Sequence, residues 1–206
     1  MRFMTSITKV RWLCVCVHIV VVMPMSTITD SIPESKAFEC TLAGPGEGNN
    51  KVMTSQGIYV DAQISYKEAH DRLDDFDVVV VLGGNADEIV KRSPEQEPLH
   101  LISAFAKLQQ DDNTRERTLL SVCTGSLILA KLNLLSGLSA TTHPNSLTKF
   151  EILCSESAQR NMTERTDVID DARYVVNNLR FDIGEEDDDP YVRRGSDAGR
   201  RPSNAR

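Results

Sequence analysis

The chain has 206 residues and a formal net charge of −7. This length suits one domain with a substantial buried core, and the negative charge argues against non-specific nucleic-acid binding, which needs clustered positive charge. The five cysteines are an odd number without CxxC spacing, so they predict neither a disulfide framework nor a zinc site.

The first segment, residues 1–36, contains a nearly unbroken apolar run from Trp12 to Met25 that follows basic residues. This run is shorter than the roughly 20 residues that span a bilayer, so no stable membrane span is expected. A continuous apolar run is typical of a buried strand in a parallel sheet. A basic flank before an apolar core is also typical of a secretory signal peptide. We favour an atypical first strand or a leader.

Three short elements are predicted before the clearest strand of the chain. Residues 38–43 alternate in the manner of a strand, and residues 51–60 have the pattern of a hairpin. Ser65, with a glutamate three residues later, matches a capping box and predicts a helix over residues 65–73. His70 lies on this helix, and we interpret it as a solvated surface histidine.

Residues 78–82 (VVVVL) are the clearest strand. They are β-branched and apolar on both faces, which is typical of a central strand in a parallel sheet. The strand ends at Gly83 and Gly84, where glycine would let a ligand approach the backbone closely. A plain strand-ending turn is the alternative. Without a G-x-G-x-x-G pattern, a dinucleotide site is not supported.

A helix and a second buried strand follow. Ser93, Pro94 and Gln96 occupy cap, first and third positions, which predicts a helix from this point to about Gln110. Residues 118–122 then predict another buried strand. This alternation of strand and helix with short connections predicts an α/β protein with a doubly wound, mostly parallel sheet and helices on both faces.

The strand at residues 118–122 leads directly into Cys123, a small polar turn and an apolar helical pattern. This order is that of a nucleophile elbow, with sulfur in place of oxygen. Gly125 would let the helix approach the strand, and the helix dipole favours thiolate over thiol. A buried cysteine that serves only packing is the alternative.

A further candidate, His143, follows a predicted strand over residues 138–142. A histidine at the end of that strand could lie near Cys123. Neutral imidazole could then accept the thiol proton, and imidazolium could stabilise the thiolate. On local sequence alone, a hydrogen-bonded loop histidine is the alternative.

Three stretches together resemble the landmarks of the ThiJ/PfpI family, within the class I glutamine-amidotransferase-like superfamily. They are VVVVLGG at 78–84, SVCTGS at 121–126 and ATTHP at 140–144, in the order and spacing of that family. The resemblance covers roughly residues 37–177. Its Cys-Thr-Gly-Ser form is most similar to isonitrile-hydratase-like members, and it implies a flavodoxin-like fold.

The resemblance also implies roles for single residues. Backbone amides of the loop at Gly83 and Gly84, and of Thr124, would form an oxyanion hole next to Cys123. His143 would lie beside the thiol. Thr124 stands where many members carry a histidine, so a peptidase-like pairing is not expected.

Both ends of the chain depart from the family pattern. In the family, a loop after the first strand carries an acid that supports the cysteine, and no position of this sequence matches it. The carboxylates nearest to that point, Asp30 and Glu34, are given no role. Residues 183–206 carry runs of like charge with Pro and Gly, which predict a disordered tail. We therefore expect a partial ThiJ/PfpI-like domain over residues 37–182, with its C-terminal strand and helix missing.

The resemblance implies a cofactor-free enzyme, of hydratase, lyase or hydrolase type and without a metal, that uses the thiolate against a small electrophile. Isonitrile hydration and reactive-carbonyl (glyoxalase-type) chemistry are the candidates. The alternative is a non-catalytic or degenerate relative: a redox sensor, a chaperone-like protein or a truncated inactive domain. The expected partners are a small-molecule substrate and, by resemblance, a second copy in a homodimer, but no nucleic acid. The expected location is cytoplasmic, or secreted if the run from Trp12 to Met25 is a signal-peptide core.

Overall fold

The computed structural model describes residues 10–15, 38–46, 50–53, 59–84, 86–112, 114–170, 172, 174–177, 180–183 and 192–194. The strands are β1 (Val10–Val15), β2 (Phe38–Gly44), β3 (Lys51–Met53), β4 (Tyr59–Asp61), β5 (Ile64–Ser65), β6 (Val78–Leu82), β7 (Thr118–Val122), β8 (Ser139–Ala140), β9 (Asp167–Val168), β10 (Tyr174–Asn177), β11 (Arg180–Ile183) and β12 (Val192–Arg194). The described α-helices are α1 (Tyr66–Asp71), α2 (Ala86–Ile89), α3 (Leu99–Asp111), α4 (Gly125–Lys131) and α5 (Leu147–Asn161), and 3₁₀ turns span Leu73–Asp75 and Pro144–Ser146.

The central sheet has eight strands in the order β12–β10–β11–β7–β6–β1–β2–β5. All neighbours from β5 to β11 pair in parallel. β10 is antiparallel to β11 and parallel to β12. Two pairs, β3–β4 and β8–β9, form separate small sheets. The fold is therefore the predicted flavodoxin-like α/β fold with a mostly parallel sheet.

Alternate residues of the central strands face two different cores. Val79 and Val81 of β6 join a core to which every described helix contributes. Val80 and Leu82 join the core on the other face, with residues of the β3–β4 hairpin. All four side chains are at most 2% exposed. Burial on both faces explains why this strand is continuously apolar rather than alternating.

The start of the first apolar run is an interior strand. β1 pairs in parallel with β2 on one side, where Trp12 lies opposite Cys40. On its other side β1 pairs with β6, where Cys14 lies opposite Val80. Residues 16–37, which include Asp30, Glu34 and the rest of the run to Met25, lie outside the described residues. Within the described ranges, no helix combines the length and apolarity required to cross a bilayer.

The hairpin and the first helix agree with the sequence. β3 and β4 pair antiparallel, with Val52 opposite Val60. Ser65 precedes α1, and its Oγ accepts the backbone N–H of Glu68 at 3.0 Å. This bond satisfies one of the donors that a helix leaves unpaired at its N-terminus, so the predicted cap is present. The helix ends at Asp71, two residues earlier than predicted.

The predicted helix start at Ser93 is wrong. Residues 93–98 form turns, and α3 begins at Leu99. One of the two contacts of a capping box is present, because the Ser93 N–H donates to Gln96 Oε1 at 3.0 Å. Ser93 Oγ accepts the N–H of Glu95 at 3.5 Å instead of that of Gln96. A continuous helix is prevented by Pro98, which disfavours helical backbone at the residue before it. The capping residues therefore close a turn, and the helix starts after the second proline.

The strand predicted before His143 is shorter than expected and lies in a different sheet. Only Ser139–Ala140 is a strand, β8, and it pairs with β9 rather than with the central sheet. Thr141 and Thr142 continue without strand pairing to a 3₁₀ turn that starts at Pro144.

Strands occupy the part of the chain where a missing strand and a tail were expected. β11 pairs with β7, with Phe181 opposite Leu120, and β12 pairs with β10, with Val192 opposite Tyr174. The apolar residues of β11 come just before the acidic run on which the prediction of a disordered tail was based. Residues 184–191 and 195–206 lie outside the described residues. In the described part of the chain, no helix follows Asn161.

Candidate active site

Cys123 lies at the turn between β7 and α4, as the sequence predicted. β7 ends at Val122, and α4 begins at Gly125. The backbone of Cys123 has φ 56°, in the left-handed region, which costs an L-residue about 1–2 kcal/mol. The side chain is partly buried and packs against the core on the hairpin face of the sheet. A left-handed residue at a sharp strand-to-helix turn is the geometry of a nucleophile elbow.

Gly125 makes this tight turn possible. A Cβ built on Gly125 would lie 2.2 Å from the carbonyl oxygen of Val81 and 3.1 Å from its carbonyl carbon. Val81 belongs to β6, the neighbour of β7 in the sheet. The first residue of α4 therefore lies directly against the backbone of the adjacent strand, and only glycine fits there.

A hydrogen-bond pair joins the end of β6 to the elbow. The Gly84 N–H donates to Thr124 Oγ1 at 3.1 Å, and the same hydroxyl is 3.4 Å from the Gly84 carbonyl oxygen, to which it can donate. The backbone of Gly84 has φ 107°, a conformation that favours glycine. The Gly84 amide, expected to be an oxyanion donor, is therefore directed at the Thr124 side chain in this structure. We call this pair the Gly84–Thr124 clasp.

Gly83 keeps the space next to the Thr124 backbone open. A Cβ on Gly83 would lie 2.8 Å from the Thr124 nitrogen and 2.7 Å from Thr124 Oγ1. Both distances are shorter than real Cβ contacts. The two glycines after β6 thus have separate uses: Gly84 takes part in the clasp, and Gly83 lets Thr124 approach the end of β6.

The loop that carries His143 is attached to the elbow through its neighbour Thr142. Thr142 Oγ1 donates to the Cys123 carbonyl oxygen at 3.4 Å, and Ser126 Oγ donates to the same oxygen at 3.2 Å. Sequence reasoning gave neither hydroxyl a role. The available signals were a hydroxyl residue in the first turn of the elbow helix and another just before the histidine.

His143 itself caps the 3₁₀ turn that follows it. Its Nδ1 accepts the backbone N–H of Asn145 at 3.2 Å. A ring nitrogen that accepts carries no proton, so Nε2 carries the proton of the neutral imidazole. In the described part of the chain no carboxylate hydrogen-bonds to the Cys123 thiol. Asp30 and Glu34, the acids considered for the loop after the first strand, lie outside that part.

Two other thiols meet on the same face of the sheet. Cys14 of β1 and Cys40 of β2 lie with their Sγ atoms 3.0 Å apart, and both belong to the packing group that Cys123 contacts. The hydrogen bond with Cys14 lowers the pKa of the Cys40 thiol, although partial burial acts in the opposite direction. Cys40 is therefore a second thiol whose labelling must be measured separately from that of Cys123.

Cys14→Ala is expected to slow the alkylation of Cys40 by iodoacetamide near neutral pH by about twofold or more. Removal of the hydrogen bond raises the pKa of Cys40, so a smaller fraction of the thiol is ionised. Mass spectrometry of the Cys40 peptide over time measures the rate. Cys154→Ala, which changes a buried cysteine of α5, is the matched control. An unchanged or faster rate in Cys14→Ala would show that the hydrogen bond with Cys14 does not lower the pKa of Cys40.

The described residues contain one group of three metal-ligating side chains, His70, Glu97 and His100. His70 lies on α1, Glu97 lies in the turn before α3, and His100 lies in the first turn of α3. None of the three belongs to the elbow, the clasp or the loop at His143.

A mostly parallel sheet with a cysteine at a strand–helix turn defines a flavodoxin-like α/β protein with an elbow cysteine. A family model described as the DJ-1/PfpI family matches residues 19–178. The chain belongs to the DJ-1/PfpI family.

Solved structures share this fold. Drosophila melanogaster DJ-1beta is 18% identical with a TM-score of 0.60, over 86% of this chain and 83% of that chain. Schizosaccharomyces pombe DJ-1 is 14% identical with a TM-score of 0.61, over 86% of this chain and 84% of that chain. A DJ-1 superfamily protein from Agrobacterium tumefaciens is 16% identical with a TM-score of 0.62, over 85% of this chain and 82% of that chain. A search of curated proteins finds no match. At these identities the structural likeness shows the fold alone.

Proposed function

We propose that the Cys123 thiolate attacks a small electrophile, in either isonitrile hydration or the glyoxalase-type conversion of a reactive carbonyl. The observation that carries the proposal is the left-handed backbone of Cys123, φ 56°, at the turn between β7 and α4. Strained backbone positions concentrate at functional sites. Cys123 is only partly buried, and membership of the DJ-1/PfpI family supports the same location.

For an isonitrile, the thiolate adds to the terminal carbon, and protonation of that carbon gives a thioimidate. Water then adds to the same carbon, the carbon–sulfur bond breaks, and a formamide leaves while the thiolate is regenerated. The net reaction is R–NC plus H2O to R–NH–CHO. His143, whose neutral imidazole carries its proton on Nε2, is the proposed proton carrier.

For an α-oxoaldehyde, the thiolate adds to the aldehyde carbon and gives a hemithioacetal. A proton moves from that carbon to the neighbouring carbonyl carbon, and the hydroxyl proton moves to the neighbouring oxygen, which gives a 2-hydroxy thioester. Water then releases a 2-hydroxy acid and regenerates the thiol. The substrate oxidises one of its carbons and reduces the other, so no external redox partner is consumed. Negative charge develops on the aldehyde oxygen, and the Thr124 amide beside Gly83 is the proposed donor to it.

The proposal includes a small-molecule substrate, a homodimer and a cytoplasmic location. Integration of β1 between β2 and β6 favours retention of this segment, because cleavage after Met25 would remove an interior strand. The net charge of −7 continues to oppose nucleic acid as a partner.

A non-catalytic relative is the second candidate, and the Gly84–Thr124 clasp favours it. An amide that donates to a side chain at 3.1 Å must lose that bond before it can stabilise an oxyanion. A redox sensor would need only the accessible thiol of Cys123. Its oxidation to sulfenic acid by a peroxide requires no oxyanion hole.

The test combines labelling of Cys123 with substrate consumption. In purified protein at pH 7, iodoacetamide is expected to alkylate Cys123 at least about ten times faster than glutathione. NMR should detect consumption of an alkyl isonitrile or of methylglyoxal, with Cys123→Ser as the inactive control. Labelling no faster than glutathione, with neither compound consumed by a cooperatively folded protein, would overturn the proposal. Fast labelling and peroxide oxidation without turnover would instead favour the sensor.

A further inference from the structure

Two histidines and a glutamate converge where α1 packs against the start of α3. Glu97 Oε1 lies 2.6 Å from His70 Nε2 and 3.6 Å from His100 Nδ1. The two imidazole centroids are 4.7 Å apart. One ligand atom from each residue lies within 4.8 Å of the others. We call these three residues the His70–Glu97–His100 cluster.

The cluster is held by the fold rather than by long surface side chains. The second carboxylate oxygen of Glu97, Oε2, accepts the backbone N–H of Leu101 at 3.2 Å, in the first turn of α3. The Glu97 carbonyl oxygen accepts Arg92 Nη1 at 2.8 Å. A carboxylate fixed through one oxygen presents the other in a defined direction, an arrangement that recurs around metal ligands.

The sequence predicted a solvated histidine at position 70, but the His70 side chain is partly buried in this cluster. The exposed fractions of the side chains are 23% for His70, 32% for Glu97 and 51% for His100. Two ligands are thus partly shielded, and the third lies at the surface. This arrangement leaves one side of the cluster open to an ion and its water ligands.

The distances suit a tetrahedral ion after small side-chain movements. Bonds of about 2.0–2.2 Å from Zn²⁺ to imidazole nitrogen and carboxylate oxygen place two tetrahedral ligands about 3.3–3.5 Å apart. The observed separations of 2.6 and 3.6 Å lie on either side of that value. An increase of less than about 1 Å between His70 and Glu97 would admit the ion.

We propose that the His70–Glu97–His100 cluster binds one divalent transition-metal ion of the Zn²⁺ class. Two imidazoles and one carboxylate are a ligand set that borderline divalent ions prefer over Mg²⁺ or Ca²⁺, which need mainly oxygen ligands. The fourth position remains open to water. Because the ion joins α1 to α3, it also stabilises the folded chain by mass action.

The alternative interpretation is that the Glu97 carboxylate only hydrogen-bonds to the two imidazoles. In that case Glu97 holds His70 and His100 without an ion, and added metal has no preferred location. The two readings differ in stoichiometry and in ligand chemistry, and both can be measured on the full chain.

The experiment titrates chelator-treated protein with Zn²⁺ in calorimetry, and with Co²⁺ in visible spectroscopy. One equivalent is expected to bind, with d–d bands of low-coordinate Co²⁺ and no thiolate charge-transfer band. Glu97→Gln and His100→Ala should each weaken binding at least about tenfold. The matched control is Glu95→Gln, an exposed acid of the same turn. It should bind as wild type does, and so should Cys123→Ser.

The proposal would be overturned by the lack of stoichiometric binding, or by equal affinity in wild type and Glu97→Gln. A thiolate band would also overturn it, because the ion would then be held by cysteine. His100 is the most exposed ligand, so His100→Ala should fold even if His70→Ala does not, and circular dichroism checks this. Cys123 turnover is not measured at any step, so this result is independent of the proposed function.

Discussion

Gly125→Ala is expected to lower the free energy of unfolding by about 3 kcal/mol, as overpacking against a rigid neighbour does. The new methyl group would lie 2.2 Å from the Val81 carbonyl oxygen. That oxygen belongs to β6, which is paired on one side with β1 and on the other with β7. The strand cannot move away without breaking pairings at the centre of the sheet, so the elbow and α4 must move instead.

Two smaller effects oppose this loss. Alanine is preferred over glycine inside a helix by up to about 1 kcal/mol, and it restricts the unfolded chain by a similar amount. Gly125 is the first residue of α4, where the helical preference is only partly realised. The steric term is the larger one because the contact is with backbone rather than with the end of a flexible side chain.

Urea denaturation of both proteins measures the difference. Ser126→Ala is the matched control, since it changes the next position of the same helix and removes one hydrogen bond, Ser126 Oγ to the Cys123 carbonyl oxygen at 3.2 Å. The control should lose only about 1 kcal/mol. A Gly125→Ala protein as stable as wild type would show that α4 does not lie as close to β6 as described.

The parts of the fold that could be predicted are those encoded by neighbouring residues. The runs at β6 and β7 are continuous because both faces of each strand are buried, and this leaves a pattern in the sequence alone. The turn at Cys123 is encoded by the same short stretch, since Gly125 follows it directly. The cap of α1 by Ser65 is equally local.

The parts that could not be predicted depend on contacts between distant residues. The Gly84–Thr124 clasp joins residues 40 positions apart, so neither residue alone indicates it. Of the two hydroxyls on the Cys123 carbonyl, that of Thr142 comes from a loop 19 residues away, whereas that of Ser126 is local to α4. The sequence alone predicts a solvated His70, because Glu97, its hydrogen-bond partner, is 27 residues away.

One local prediction was wrong because two local signals conflicted. Ser93 and Gln96 form one of the two contacts of a capping box, but Pro98 disfavours helical backbone at the residue before it. The sequence therefore contains a helix-start signal and a helix-breaking proline within six residues, and the helix begins only after the proline. The placement of Glu97 beside α1 is a consequence, since a helix from Ser93 would have turned that side chain differently.

Two substitutions at position 123 should have the same effect on turnover but different effects on stability. Cys123→Ala and Cys123→Gly are both expected to lower turnover by at least about a thousandfold, because each removes the proposed nucleophile. The two variants should differ in stability. Glycine adopts φ 56° without the Cβ penalty of about 1–2 kcal/mol, but it adds backbone entropy to the unfolded chain. We expect Cys123→Gly to be about 0.5–1 kcal/mol more stable than Cys123→Ala.

The measurements are steady-state consumption of the substrate found in the screen and urea denaturation of the three proteins. Alanine and glycine both lack sulfur, so the stability difference between them isolates the backbone term from the loss of the thiol. Turnover that survives Cys123→Ala would exclude this cysteine as the nucleophile. A glycine variant less stable than the alanine variant would show that the left-handed turn carries no strain. Both expected results together would mean that the fold maintains a thiol at a backbone position that favours glycine over alanine, the usual relation between stability and activity at a functional site.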